Sequence, residues 1–500
     1  MTHRTRSTLP DSCSVGQTTV SRRRALLGLG GLAAGGALVA AGLPFASKPA
    51  QAATATGTLP IPTLLTPTDD DGVDVYSLTM QTGTAVLRAG LTSATAGFNG
   101  SYLGPVIKVD KGDTVRMAVT NKLSAVSTVH WHGAHVPPSV DGGPQNTIAA
   151  GASFSPSFTV NQDACTLWFH PHALLTTAAQ VASGLAGMLI VNDDSDGAAA
   201  LPQDYGVNQF PLIVQSVPVN SSGVIQSTTA GLTNTATTFP LIVNGVNAAT
   251  STPTLSVSEN RIRFHLLNGS ITDLITITRS DGGTMTQVAT DAALLPAPTA
   301  VTSVRLVAGE RAEIVLDVSG TVTLRATVTA GGARGGSGTT AICSITTTDT
   351  TTRAALPSVL NTITALDTTG ATTRTIALSN TGALFTVNGV AGTTMAAMEA
   401  SEIMTTVGAT EVWTITNATN ILHSFHLHDV PFQVLAVNGG APTGTLSGTW
   451  KDTIEMPAQS TRKIVMRFAD YFDNTYGYML HCHNAIHEDE GMMAMLMVMG

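Results

Sequence analysis

Downstream of residue 60 the chain alternates apolar and polar residues over short stretches, and Asn-Gly, Gly-Asp and Gly-Glu turns break the alternation. A period of two bounded by turn residues predicts half-buried strands. One pattern recurs three times. Asn99-Gly100, Asn244-Gly245 and Asn388-Gly389 each precede a strand-like run, at spacings of 145 and 144 residues. Behind them come GDTVRMAVTN ending at Asn121, ENRIRFHLLN ending at Asn268 and TEVWTITN ending at Asn417. GASFSPSFTV from Gly151, GERAEIVLDV from Gly309 and STRKIVMRF from Ser460 follow at comparable distances. A repeat of about 150 residues predicts three consecutive all-β sandwiches, over residues 53–197, 198–352 and 353–500. Short helices are expected around residues 174–183 and 394–403.

The N-terminus departs from this pattern. Ser21-Arg22-Arg23-Arg24-Ala25-Leu26-Leu27 leads into a Gly/Ala/Leu run from Gly28 to Ala46 and then Ala50-Gln51-Ala52. This predicts a twin-arginine signal peptide over residues 1–52 with an A-x-A cleavage site. A membrane anchor of similar length is the alternative, which the Gly and Ala content of the run disfavours. Removal takes six basic residues and one acid, so the net charge moves from -9 to -14. The expected product is acidic, exported to the periplasm or beyond, and not stably inserted in a membrane.

Composition narrows the function classes. Hydrophobic residues make up 43% and charged residues 11%, enough apolar material for folded cores and too little charge for a disordered chain. There is no Lys/Arg block beyond the N-terminal segment, which excludes nucleic acid as a partner. Cys13 leaves with the signal, so Cys165, Cys343 and Cys482 remain. That odd number calls for a reactive thiol or a metal ligand. Cys165 and Cys343 are candidates for a disulfide.

The histidines carry the chemistry. Ten of thirteen fall in His130-Trp131-His132, His170-Pro171-His172, His423-Ser424-Phe425-His426-Leu427-His428, and His481-Cys482-His483 followed by His487. Chance would give roughly 0.3 His-x-His pairs at this frequency, and four occur, which marks them as metal ligands. On a strand, residues i and i+2 share a face, so each pair presents two imidazoles to one point. Cys482 projects opposite to His481 and His483, and one tripeptide touches two sites. Cys482, His487, Met492 and His423 make up the two imidazoles, thiolate and weak thioether of an electron-transfer blue copper. Eight imidazoles remain, enough for three copper ions with room for dioxygen.

HWHG, WFHPH, HSFHLHD and HCHNAIHEDEGMM, in this order, resemble the four copper motifs of the multicopper oxidases. Val140-Asp141-Gly142-Gly143-Pro144-Gln145 and Trp450-Lys451-Asp452-Thr453 look like the bacterial three-domain laccases and copper-efflux oxidases. The resemblance implies three cupredoxin-like Greek-key β-sandwich domains and four coppers per chain. It implies that His423, Cys482, His487 and Met492 hold a type 1 copper, and His130 and His426 a type 2 copper. His132, His170, His172, His428, His481 and His483 would hold the type 3 pair. Relatives place acids at Asp141 and Glu488, where carboxylates would deliver protons for dioxygen reduction.

The implied activity is one-electron oxidation of phenols or aromatic amines with dioxygen as acceptor, with cuprous ion as the alternative donor. A non-catalytic cupredoxin scaffold would lack several ligands, and here all twelve stand. The chain is expected to act as a monomer. Copper-efflux oxidases carry a Met-rich insert in the last domain; the corresponding stretch here holds Met395, Met398 and Met404. Alternation puts Met493, Met495, Met497 and Met499 on one face of a final strand, read as core packing. His135 and His265 are read as structural or surface residues.

Overall fold

In a computed structural model that describes residues 57–331 and 337–500, the Asn-Gly repeat is a repeat of backbone geometry. Asn99, Asn244 and Asn388 all take the left-handed conformation, with φ of 56°, 46° and 52°, which Asn tolerates better than most residues. Each side chain braces an earlier strand of its sandwich. The Asn99, Asn244 and Asn388 Oδ1 atoms accept from the backbone N–H groups of Thr79, Ile213 and Ala377 at 2.7 to 2.8 Å. The proposed signal peptide over residues 1–52 lies outside the described residues.

The second repeat also has a structural cause. Thr114–Asn121, Arg261–Asn268 and Thr410–Asn417 are strands. Their terminal Asn121, Asn268 and Asn417 are fully buried. Each donates through Nδ2 to at least two carbonyls from separate segments at 2.8 to 2.9 Å. Each also accepts a backbone N–H two residues on. A buried amide with its donors satisfied fixes where the chain turns.

These three strands pair in parallel with Val73–Arg88, Gln209–Ser216 and Thr372–Thr381. In the facing sheets Val106–Asp110 pairs in parallel with Gly187–Asn192, Thr254–Val257 with Ser337–Thr347, and Ile403–Thr406 with Met493–Met499. Parallel neighbours cannot be joined by a hairpin, so each unit is wired as a Greek key. The sheets have six and four, seven and five, and five and five strands. Three apolar cores lie between them. Helices are short, among them Thr177–Ala182 and Met395–Ala400. None of the described helices is long and apolar enough to cross a membrane.

Cys165 and Cys343 sit in the cores of the first and second sandwiches and both are free. The disulfide considered between them therefore does not form. Burial pushes the Cys343 thiol up to about 12, so it packs as a small hydrophobe.

Candidate metal centre

Strand alternation sorts the histidines. In the first sandwich, His130–His132 pairs with Cys165–His170, and His130 stands opposite His170. Trp131 and Phe169 enter the core, so His130, His132 and His170 turn outward. In the third sandwich Phe425 stands opposite Cys482 and His426 opposite His481. Phe425 and Cys482 face the core, and His426 and His481 face the seam with the first sandwich. His428 and His483 lie just past these strands on the same parity.

Eight imidazoles meet in that seam, none more than 3% exposed. Across it His130 stacks on His428 with centroids 3.8 Å apart, and His132 on His426 at 3.7 Å. Ring nitrogens converge in groups: His130 with His132 and His170, His130 with His426 and His428, and His172 with His428 and His481. His172 Nε2 lies 3.1 Å from His481 Nε2, and His170 Nε2 3.4 Å from His483 Nε2.

Four of the outer nitrogens are spoken for. His130, His170 and His426 direct Nδ1 at the carbonyls of Asp141, Pro171 and Asp452, each at 2.9 Å. His428 Nδ1 lies 2.7 Å from Asp141 Oδ2. A proton held on each Nδ1 leaves Nε2 bare toward the centre. His132 is reversed, with Nε2 near Thr453 Oγ1 at 3.1 Å. Accordingly His130 Nε2, His426 Nε2 and His132 Nδ1 have no hydrogen-bond partner among the described residues. Burial and neighbouring imidazoles hold His132, His170, His426, His428 and His483 well below the usual histidine range. Burial likewise brings His172 to about 3. Neutral, buried and inward-facing imidazoles are the donor set a transition metal requires.

On the other face of the His481-Cys482-His483 tripeptide lies a second site. Cys482 Sγ is 3.3 Å from His423 Nδ1 and 3.8 Å from His487 Nδ1, and the two Nδ1 atoms are 3.1 Å apart. Thr419 Oγ1 sits 2.8 Å from His423 Nε2, and Asn484 Nδ2 lies 3.2 Å from His487 Nε2, fixing both rings from behind. Burial pushes the Cys482 thiol up to about 12, so a thiolate here needs a bound cation. Met492 is buried in the same core, and its carbonyl accepts from the Cys482 N–H at 3.0 Å.

Sequence models of the multicopper oxidase family match residues 79–196 and 360–500. The multicopper oxidase mco of Staphylococcus aureus is 31% identical over 86% of this chain and 90% of its own length. The chain belongs to the multicopper oxidase family. The cell division protein FtsP of Sodalis glossinidius is 32% identical over 87% of this chain and 90% of its own. Among solved structures, the laccase-like multi-copper oxidase CueO of Ochrobactrum sp. shares 30% identity over 88% of this chain and all of that one, with a TM-score of 0.77. The three units are cupredoxin-like, and membership in this family implies copper at the donor sets above.

Two carboxylates in this multicopper oxidase stand behind the seam imidazoles. Glu488 lies 3.4 Å from His172 Nδ1 and 3.0 Å from His481 Nδ1, and Asp141 faces His428 and His130. Burial alone would raise both carboxyls. The adjacent imidazoles outweigh it and hold both well below the usual carboxylate range.

Sequence reasoning missed the support supplied by the middle sandwich. Asp452 lies beside His132 and His426 and receives two hydrogen bonds from Arg311. Lys451 pairs with Asp291 at 3.0 Å and with Glu310. The Trp450–Thr453 motif was the available signal, but its partners Arg311 and Asp291 lie in a domain without metal motifs. His265 is buried between Thr166 Oγ1 at 2.6 Å and Gln209, a structural role. His135 is held between Asp429 and Asp470.

Proposed function

We propose that the chain is a laccase-like oxidase, which takes single electrons from phenols or aromatic amines and delivers them to dioxygen. His423, Cys482, His487 and Met492 would hold the type 1 copper, and His130 and His426 the type 2 copper. The remaining six histidines would hold the type 3 pair, four coppers in all. Bound there, copper supplies the one-electron redox steps at the donor and at dioxygen.

The observation that carries this reading is Cys482 between His481 and His483. Its sulfur faces one donor set and its two neighbours face the other, so a single peptide unit on either side joins the sites covalently. Donor and oxidant then never meet, and donor choice depends on potential and on the rim near His423 and His487 rather than on a tight pocket. Asp141 and Glu488 hold the imidazoles from behind and are placed to pass protons inward. Export by the twin-arginine route, working outside the cytoplasm as a monomer, completes the reading.

Cuprous ion is the competing donor. Dioxygen uptake by the copper-loaded protein, measured with a phenol and separately with cuprous ion, decides between them. Faster uptake with the phenol is expected. No uptake with either would overturn the oxidase reading and favour a non-catalytic cupredoxin scaffold.

A further inference from the structure

The C-terminal strand Met493–Met499 has two unlike faces. Toward the core of the third sandwich it carries Ala494, Leu496 and Val498. On the opposite face Met493, Met495 and Met497 are buried in one cluster with Met398 and Met479. Ordinary packing takes Ala, Leu and Val on one side of this strand, whereas the other side takes methionine at every position. Leu174 of the first sandwich packs against the cluster, two residues beyond His172. Gln145 reaches it as well, directing Nε2 at Met495 Sδ at 3.7 Å.

The register gives the cluster a direction. Met493 stands opposite His481 and Met495 opposite Met479, and paired residues of antiparallel strands share a face. The Met479 carbonyl accepts from the His428 N–H at 3.0 Å. The thioethers therefore begin beside two histidines of the eight-imidazole cluster. They run outward to Met497 and end at Met395 and Met499, which are only half-buried.

Gly477 shows how the sulfurs are turned. A Cβ at this residue would stand 2.7 Å from Met497 Sδ and 2.9 Å from Met495 Sδ. The two sulfurs therefore flank one point and lie within about 6 Å of each other. Glycine keeps that point clear. Thioethers are soft ligands selective for cuprous ion over the divalent hard metals, and methionine's rotatable bonds let it change partners without moving the backbone.

We propose that this thioether ladder is a path for cuprous ion, leading from Met395 and Met499 past Met497 and Met495 to the histidines at His481. The ion moves by exchange of copper–sulfur contacts and finally trades a thioether for an imidazole, with no change of oxidation state. The inference rests on reading the eight imidazoles as copper ligands. It concerns how copper arrives there rather than what the loaded protein oxidises.

The test is metal uptake, not turnover. Copper-free full-length protein and the variant Met495→Leu/Met497→Leu are mixed anaerobically with cuprous ion, and separately with cupric ion. Bound copper is counted against time by native mass spectrometry. Leu and Met are close in volume, which limits damage to packing. Uptake of cuprous ion is expected to slow about tenfold in the variant, while cupric uptake and final copper content stay at the wild-type level. One equivalent of silver ion should retard cuprous uptake in the wild type and not in the variant. Equal cuprous rates, or equal slowing with both oxidation states, overturn the path. Failure of the wild type to take up copper in either state overturns the copper reading itself, and the path with it.

Discussion

Arg311 of the middle sandwich and Asp452 of the last one face each other across a buried interface, joined by hydrogen bonds of 2.7 and 2.6 Å from Nη1 and Nη2. Asp452 in turn lies 3.3 Å from His132 Nε2 and 3.6 Å from His426 Nδ1. The domain that contributes no metal donor thus holds a carboxylate behind two histidines on either side of the seam. Burial raises the Asp452 carboxyl and Arg311 opposes that, so the guanidinium is what makes a charge tolerable there.

Arg311→Met should therefore leave a buried carboxylate without its partner. Removing one member of a buried pair costs about 3–5 kcal/mol, so a clear fall in melting temperature is expected. The specific signature is metal content. Copper at the eight histidines should drop while the blue absorbance of the sulfur site, which Arg311 does not touch, persists. Equal loss at both sites would mean that Arg311 only supports the fold.

Cys482→Ser should abolish the blue colour and the oxidation of any donor, because the thiolate that would bind copper and start the route to His481 and His483 is gone. Metal analysis should show the copper count falling by one. Near-normal turnover by this variant would sink the assignment of electron entry to Cys482.

The repeat, the strand alternation and both donor sets were legible in the sequence because each is local: a period of two, a turn dipeptide, a His-x-His pair. Asn121, Asn268 and Asn417 read as strand ends, and they prove to be the residues that tie separate segments of each sandwich together. What stayed hidden depends on contacts far apart in the chain. Arg311 meets Asp452, and His265 meets Thr166 and Glu313, through sandwich packing that no periodicity announces. Alternation alone puts the methionines on one face of the last strand, but their position beside His481 follows only from the register with Tyr478–Cys482.

His135 gives the interface between the first and third sandwiches a pH dependence. Burial pulls its pKa down, but Asp429 at 2.6 Å and Asp470 at 2.8 Å outweigh this and raise it to about 8. A histidine whose folded pKa exceeds its unfolded value stabilises the fold fully below about 6.5 and loses that contribution as pH rises through about 8. Burial pushes Asp429 up to about 6, a shift of the same sign acting at lower pH. The melting temperature should fall between pH 6.5 and 8.5 by an amount on the order of 1–2 kcal/mol in stability, and His135→Gln should flatten that slope. Parallel profiles for the two proteins would count against the clamp.

Removing copper should lower the melting temperature, because the seam imidazoles come from residues 130–172 and 426–483 and a ligand shared by two sandwiches stabilises their contact by mass action. Calorimetry of the loaded and copper-free forms checks this. The same melting temperature with and without copper would argue that the seam is held by the protein alone.

Asp141→Asn and Glu488→Gln separate two roles for the carboxylates behind the imidazoles. Each sits on the outer nitrogen of two histidines, so each can fix ring orientation, and each can also hand protons toward dioxygen. The depressed pKa of both groups means that they rest ionised and hold a proton only in passing. If proton transfer is their task, both variants should keep the copper content, the blue colour and the anaerobic reduction by a phenol. Reoxidation on mixing with dioxygen should then slow by about 10²–10⁴-fold, the scale of general acid catalysis. If orientation is their task, copper content should fall with the rate, because the partners of ligand histidines affect metal affinity by about 10–100-fold. Full copper content together with an unchanged reoxidation rate would remove both carboxylates from the chemistry.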